Sequence, residues 1–229
     1  MHGASVPNDG KTGGDDLRLI IADDHRLFLL GLRQFLSKQP GVRIVGEATT
    51  GLEAVAATAR LRPDILLLDI SMPELNGIEA ARRICEETPG TQVIILSMFA
   101  DRRYVTEALR AGARGYILKS SPPEEVLRAI RKVSSGQFHL AEGVDQVVAQ
   151  VVQSSGPVCD SAFGTLSSRE REVLQLLAEG KSTKETAAKL HVSVKTIESH
   201  RKQVMDKLQL RTVAELTRYA IREGLTPLD

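Results

Sequence analysis

The 229-residue sequence predicts an α/β unit with a flavodoxin-like, doubly wound, five-stranded parallel sheet, followed by an all-α helix-turn-helix unit. Three observations predict this. Between residues 17 and 135, short apolar runs and amphipathic stretches alternate five times, the pattern of βα repeats on a parallel sheet. Several of the runs are apolar at every position, as strands buried on both faces are. From Leu166 onward the strand pattern stops, and Ser/Thr-x-x-Glu boxes mark closely spaced helix starts.

Leu17–Ala22 reads as the first strand and leads into Asp23-Asp24-His25. A helix follows over about Arg26 to Lys38, with Leu29, Leu32, Phe35 and Leu36 on one face, and Gln39-Pro40-Gly41 ends it. Val42–Glu47 is a second strand. Thr50-x-x-Glu53 is a capping box for the next helix. Ile65 to Leu68 is the central strand, introduced by Pro63 and closed by Asp69. Met72-Pro73 through Gly77 forms a shaped loop, a helix runs over about 77–87, and Pro89-Gly90 breaks it. A strand over 92–97 ends at Ser97. The helix over about 101–111 ends at Gly112, a predicted C-cap. A strand over 114–118 stops at Lys119. Ser121-Pro-Pro-Glu124 is read as a capping box with Pro at the first helical position, opening a helix to about Ser135.

Parallel strands would bring Asp23, Asp24, Asp69, Ser97 and Lys119 to one rim, the carboxyl edge where open α/β sheets bind ligands. Clustered carboxylates repel unless a cation lies between them, and an all-oxygen donor set suits Mg²⁺. With charge screened in this way, the Asp69 carboxylate can attack phosphorus and form an acyl phosphate. Lys119 and the Ser97 hydroxyl can hold the phosphoryl oxygens.

With these motifs in place, residues 17–135 resemble the receiver domain of bacterial response regulators. The resemblance implies that Asp69 is the phosphorylated residue and that Asp23 and Asp24 are the acidic pair. It implies Mg²⁺ held by Asp24, Asp69 and the backbone carbonyl of Ser71, with Asp23 beside them. Ser97 and Tyr116 match the switch hydroxyl and switch aromatic, and Lys119 the motif lysine. The implied phosphodonor is a phosphohistidine on a sensor histidine kinase. Ser71 and Phe99 match positions that tune acyl phosphate lifetime in similar domains. His25 reads as a solvated helix-start residue.

Residues 136–164 read as a linker. Leu140, Val144, Val147, Val148, Val151 and Val152 recur at helical spacing and predict a helix over 137–153, broken by Gly156-Pro157. Over residues 165–229, boxes at Ser167, Ser182 and Thr212 predict helices over about 168–179, 183–190 and 213–223. His191-Val192-Ser193 is a tight turn before a longer helix, Val194 to about Leu208, whose Val194, Ile197, Val204 and Leu208 should face inward. Lys195, Ser199, Lys202 and Gln203 lie roughly opposite, a face suited to phosphate contacts and base-edge readout.

Leu166-Ser-Ser-Arg-Glu-Arg-Glu-Val173 and Lys195-Thr-Ile-Glu-Ser-His200 resemble the LuxR-type DNA-binding domain. That resemblance implies that Lys195, Glu198, Ser199 and Lys202 face DNA, with Thr196, His200 and Arg201 near its backbone. The two resemblances together identify a NarL/FixJ-type response regulator. They imply a transcription factor controlled by phosphorylation of Asp69, paired as a homodimer on duplex promoter DNA.

Overall charge gives no hint of a partner. Net charge is +1, and the only cysteines, Cys85 and Cys159, have no metal or redox spacing. No apolar run reaches membrane-spanning length. Residues 1–16 are rich in Gly, Asp and Asn and read as a disordered tail without a secretory leader. The expectation is a cytoplasmic protein, not an enzyme apart from accepting and slowly hydrolysing its own aspartyl phosphate. A phosphohydrolase acting on small esters is the competing class, but Asp69-x-Ser71 lacks the second carboxylate such enzymes carry.

Overall fold

The computed structural model describes residues 16–98, 100–142, 144 and 162–226. In chain order the N-terminal unit comprises β1 (Leu17–Ala22), α1 (Arg26–Leu36), β2 (Val42–Ala48), α2 (Gly51–Leu61), β3 (Ile65–Asp69), α3 (Gly77–Glu87), β4 (Gln92–Ser97), α4 (Arg102–Arg110), β5 (Gly115–Leu118), α5 (Pro123–Ser134) and β6 (His139–Leu140). The C-terminal unit comprises α6 (Ala162–Thr165), α7 (Ser168–Ala178), α8 (Thr183–Lys189), α9 (Val194–Leu208) and α10 (Val213–Arg222).

The sheet is parallel throughout, in the order β2-β1-β3-β4-β5-β6. Successive side chains on a strand point to opposite faces, and the core divides accordingly. Leu19, Ile21, Ile65, Leu67, Ile94, Leu96 and Ile117 pack against α1 and α5. Ile20, Leu66, Leu68, Ile95 and Tyr116 face α2, α3 and α4. A fully buried Leu or Ile contributes about 1.5–3 kcal/mol, and both faces of β1, β3 and β4 are filled this way.

The sheet has six strands, not five. Residues 137–140 do not begin the predicted helix, because His139–Leu140 pairs with Gly115 and Tyr116 of β5. Gly136 (φ +81°) turns the chain after α5, and buried His139 places Nε2 2.7 Å from Glu125 Oε1. Two residues are too few to display a period, so the valine pattern downstream dominated the reading. Most of that predicted helix, over 145–153, lies outside the described residues.

Helix ends follow local chemistry, with two corrections. Thr50 caps α2 by accepting from Glu53 N–H, but the Glu53 carboxylate returns to Thr49, so the box is displaced by one residue. The box read at Ser121 does not form. Pro122 is the N-cap of α5 and Pro123 its first residue, because the two prolines fix the helix start one residue later. Boxes at Ser167, Ser182 and Thr212 are complete. Gly112 (φ +99°) ends α4 as expected.

α7 docks on α3 and on the loop between β3 and α3. The Arg171 guanidinium lies 2.7 Å from the Glu79 carboxylate, and both side chains are buried. Gln175 accepts from Asn76 N–H (2.6 Å) and donates to the Met72 carbonyl (2.8 Å). Glu179 accepts from Glu74 N–H (3.0 Å), Lys189 pairs with Glu74, and Arg83 with Glu172. Leu166, Leu174, Leu216, Ala220 and Leu225 join the same apolar cluster as the α3 side of the sheet.

Candidate functional site

Strand register builds the rim. Ala22 pairs with Leu68, and Asp69 with Leu96. Ser97 pairs with Leu118. Asp23, Asp69, Ser97 and Lys119 therefore leave the sheet at one level. Lys119 Nζ stands 2.8 Å from Asp23 Oδ2 and 2.8 Å from Asp69 Oδ2. The ammonium also lies 5.1 Å from the centroid of the Phe28 ring, and the Lys119 backbone N–H donates to the Ser97 carbonyl at 2.7 Å. The ammonium is the cation that lets two buried carboxylates coexist.

Asp24 is partly exposed beside them. Its Oδ1 lies 2.7 Å from His25 Nδ1, which is 3.4 Å from Asp23 and 3.9 Å from Asp69. Ligand atoms of Asp23, Asp24, His25 and Asp69 all lie within 4.8 Å of one another. The hard oxygen donors in this set suit a Mg²⁺ ion that keeps several waters. His25 is exposed at the start of α1, as expected, and its Nδ1 nevertheless comes within 3.9 Å of all three carboxylates. Phe99 lies outside the described residues.

Burial raises the pKa of Asp69. The Lys119 ammonium opposes that shift and the Asp23 charge adds to it. Burial likewise raises Asp24, with His25 opposing. The sign for stability follows. A carboxyl whose pKa is higher folded than unfolded binds its proton more tightly in the folded state. Its ionised form therefore penalises folding, increasingly from the ordinary carboxylate range up to the raised pKa. Asp69→Asn should stabilise the chain at pH 7 by about 0.5–2 kcal/mol, as relief of active-site strain does elsewhere. Urea denaturation should show the gain shrinking as the pH is lowered and wild-type Asp69 becomes neutral. A gain that grows with acid would contradict this account.

Tyr116 is fully buried, its hydroxyl hydrogen-bonded to Ser97, and burial raises its pKa. The ring packs within the core on the side of the sheet that faces α2, α3 and α4.

In the C-terminal unit, α8, the turn at His191 (φ +52°) and α9 form the helix-turn-helix. Ile197 and Val204 are buried and Leu208 half-buried, as expected. Val194, the first residue of α9, is exposed instead. Lys195, Glu198, Ser199, Lys202 and Gln203 are exposed together on the outer face. His200 and Arg201 are half-buried at its border. Thr196 is held at the helix start, its N–H donating to Ser193 Oγ.

Residues 19–131 match the response regulator receiver domain family, and residues 164–220 the luxR family of bacterial regulatory proteins. The chain is 39% identical over 219 residues to the oxygen regulatory protein NreC of Staphylococcus epidermidis, covering 91% of this chain and 99% of that one. It is similar to the RcsB response regulator of Salmonella typhimurium, at TM-score 0.62 and 29% identity over 90% of this chain and 97% of that one. It is also similar to RcsB in a DNA complex, at TM-score 0.57 and 29% identity over 90% and 98%.

Proposed function

Because the chain belongs to the response regulators that join a receiver to a LuxR-type DNA-binding domain, we propose that this two-component transcription regulator is switched by phosphorylation of Asp69. The observation that carries the proposal is Lys119 Nζ, 2.8 Å from both Asp23 and Asp69 at the carboxyl edge of a parallel sheet. In this reading the donor is a phosphohistidine on a sensor histidine kinase. An Asp69 oxygen forms the new bond to phosphorus as the P–N bond breaks, and the imidazole leaves with that electron pair. Lys119 and Ser97 hold the phosphoryl oxygens. Asp24, Asp69 and the backbone carbonyl of Ser71, with Asp23 beside them, would hold Mg²⁺, which when bound neutralises charge on the entering phosphoryl group. Later attack of water on the acyl phosphate would return Asp69 to its resting form.

The output reading rests on α9. Lys195, Glu198, Ser199 and Lys202 would face bases and phosphates, with Thr196, His200 and Arg201 near the backbone. The RcsB–DNA complex supports DNA as the partner, and a duplex DNA partner is in keeping with the expected cytoplasmic location. The outer face of α9 is exposed while α7 is docked on α3. Docking in this reading therefore controls not the reading face but the pairing of two C-terminal units on half-sites about one helical turn apart. The net charge of +3 on residues 165–229 is small for a lone DNA binder, so pairing should dominate affinity.

The test is DNA binding before and after treatment with phosphoramidate, using duplexes selected from a random pool by the treated protein. Wild type should gain about 5–150-fold in affinity, the usual range of allosteric coupling. Asp69→Ala should gain nothing. An equal response from the two proteins would remove the switch.

A further inference from the structure

The rim opens into a cavity of about 440 Å³ that residues of both units line. Asp69 and Lys119 form its floor. Arg103 and Tyr104 of α4 form one wall, and Arg222 and Gly224 at the end of α10 form another. This second wall is held in place. Asn76 Nδ2 donates to the Gly224 carbonyl at 3.0 Å. The Tyr104 hydroxyl rests so closely on Gly224 (φ +64°) that a Cβ there would lie 1.9 Å from it. Arg103 lies 3.7 Å from the buried Glu223 carboxylate. Asp69 itself is only 2% exposed at the bottom.

Resting on the phosphoacceptor reading, we infer that the docked C-terminal unit is a size filter on phosphoryl donors. Small phosphoramidates and acyl phosphates reach Asp69 past the end of α10, whereas a phosphohistidine carried on a polypeptide reaches it only after the unit has swung away. Cavities of this volume accept small molecules whole. A helix with its side chains is about 10–12 Å across, and transfer requires phosphorus about 3–3.5 Å from the attacking oxygen. A polypeptide donor therefore needs the space that Arg222 and Gly224 occupy. Its apparent rate is scaled by the fraction of undocked chain, while that of a small donor is not. The chemistry is the same in kind for both: the Asp69 oxygen gains the new P–O bond as the donor's own bond to phosphorus breaks, P–N in a phosphoramidate or phosphohistidine, whose amine or imidazole leaves protonated, and P–O in an acyl phosphate, whose carboxylate leaves as the anion. Tyr104, Gln175 and Gly224 thus act as positioning residues for the filter, not on phosphorus. Anything that holds the C-terminal unit away, DNA included, raises the undocked fraction and so speeds transfer from a polypeptide donor.

The experiment labels full-length protein with two donors, phosphoramidate and a purified peptide phosphorylated on histidine, and reads aspartyl phosphate by intact mass. Wild type is compared with Tyr104→Ala, which loosens the wall from the receiver side, and Gln175→Ala, which removes two cross-unit hydrogen bonds from the other side. Small-angle scattering reports separation of the units. The peptide-to-phosphoramidate rate ratio should rise about tenfold or more in both variants, the scale of a modest allosteric coupling. The phosphoramidate rate should stay close to that of wild type. An unchanged ratio in variants whose units have separated overturns the filter alone. Failure of phosphoramidate to label Asp69 in every protein sinks the phosphoacceptor reading and the filter with it.

Discussion

A chain carrying Glu79→Ala should bind DNA without any phosphodonor, about as tightly as phosphorylated wild type. The Glu79 and Arg171 side chains are 3% and 5% exposed, with an N–O distance of 2.7 Å. Arg171 is also fixed within its own unit by the Leu166 carbonyl and the Ser168 hydroxyl. It therefore cannot follow a missing partner elsewhere while docked. Removing the carboxylate leaves a guanidinium out of water without its counter-charge, a cost of about 3–5 kcal/mol. Undocking returns Arg171 to solvent, so the docked state alone bears the cost. At about 1.4 kcal/mol per factor of ten, the docked-to-undocked ratio falls at least a hundredfold. Fluorescence anisotropy on a selected duplex, without donor, measures the result. Binding that still depends on phosphoramidate would mean that this pair does not govern docking. The charge-swapped chain, Glu79→Arg with Arg171→Glu, should recover part of the donor dependence.

What the sequence could reveal follows from the range over which each feature is encoded. Apolar runs ending at Asp23, Asp69, Ser97 and Lys119 carried both the sheet and the rim, because a strand's burial and its terminal residue are read within a few positions. The capping boxes at Ser167, Ser182 and Thr212 were legible for the same reason, and α9 has the predicted limits, Val194–Leu208. Ser121 misled because two prolines moved the helix start past it. β6 was missed because pairing of His139–Leu140 with β5 leaves no periodic trace in two residues. Arg171–Glu79 and Gln175–Asn76 join residues about a hundred positions apart. Each partner alone looks like an ordinary solvated residue of a helix or a loop. Burial of Tyr116 was legible, because it lies in the apolar run of β5, whereas its hydrogen bond to Ser97 joins two strands and leaves no local trace.

Gly77→Ala should slow labelling of Asp69 by phosphoramidate about a hundredfold while leaving a cooperative fold. Gly77 is the first residue of α3, and its N–H donates to the Ile70 carbonyl at 2.8 Å. The helix start is thereby pressed against the end of β3. A Cβ on residue 77 would lie 1.9 Å from the Asp69 carbonyl oxygen, 2.8 Å from its carbon and 2.9 Å from Ile70 Cα. All three are backbone atoms and cannot rotate away. Ordinary contact begins near 3.4 Å, so helix and strand must part by about 1.5 Å. Overpacking of this kind costs about 1–3 kcal/mol, within the reach of a core whose β1, β3 and β4 are buried on both faces. The chemistry tolerates it less, because misplacing a reacting group by about 1 Å can cost about a hundredfold in rate, and Asp69 must stay within 2.8 Å of Lys119 Nζ. Gly90→Ala is the matched control, having nothing within 4 Å of the added methyl, and should label at the wild-type rate. Equal rates in the two variants would show that the position of the β3 end does not limit attack by Asp69.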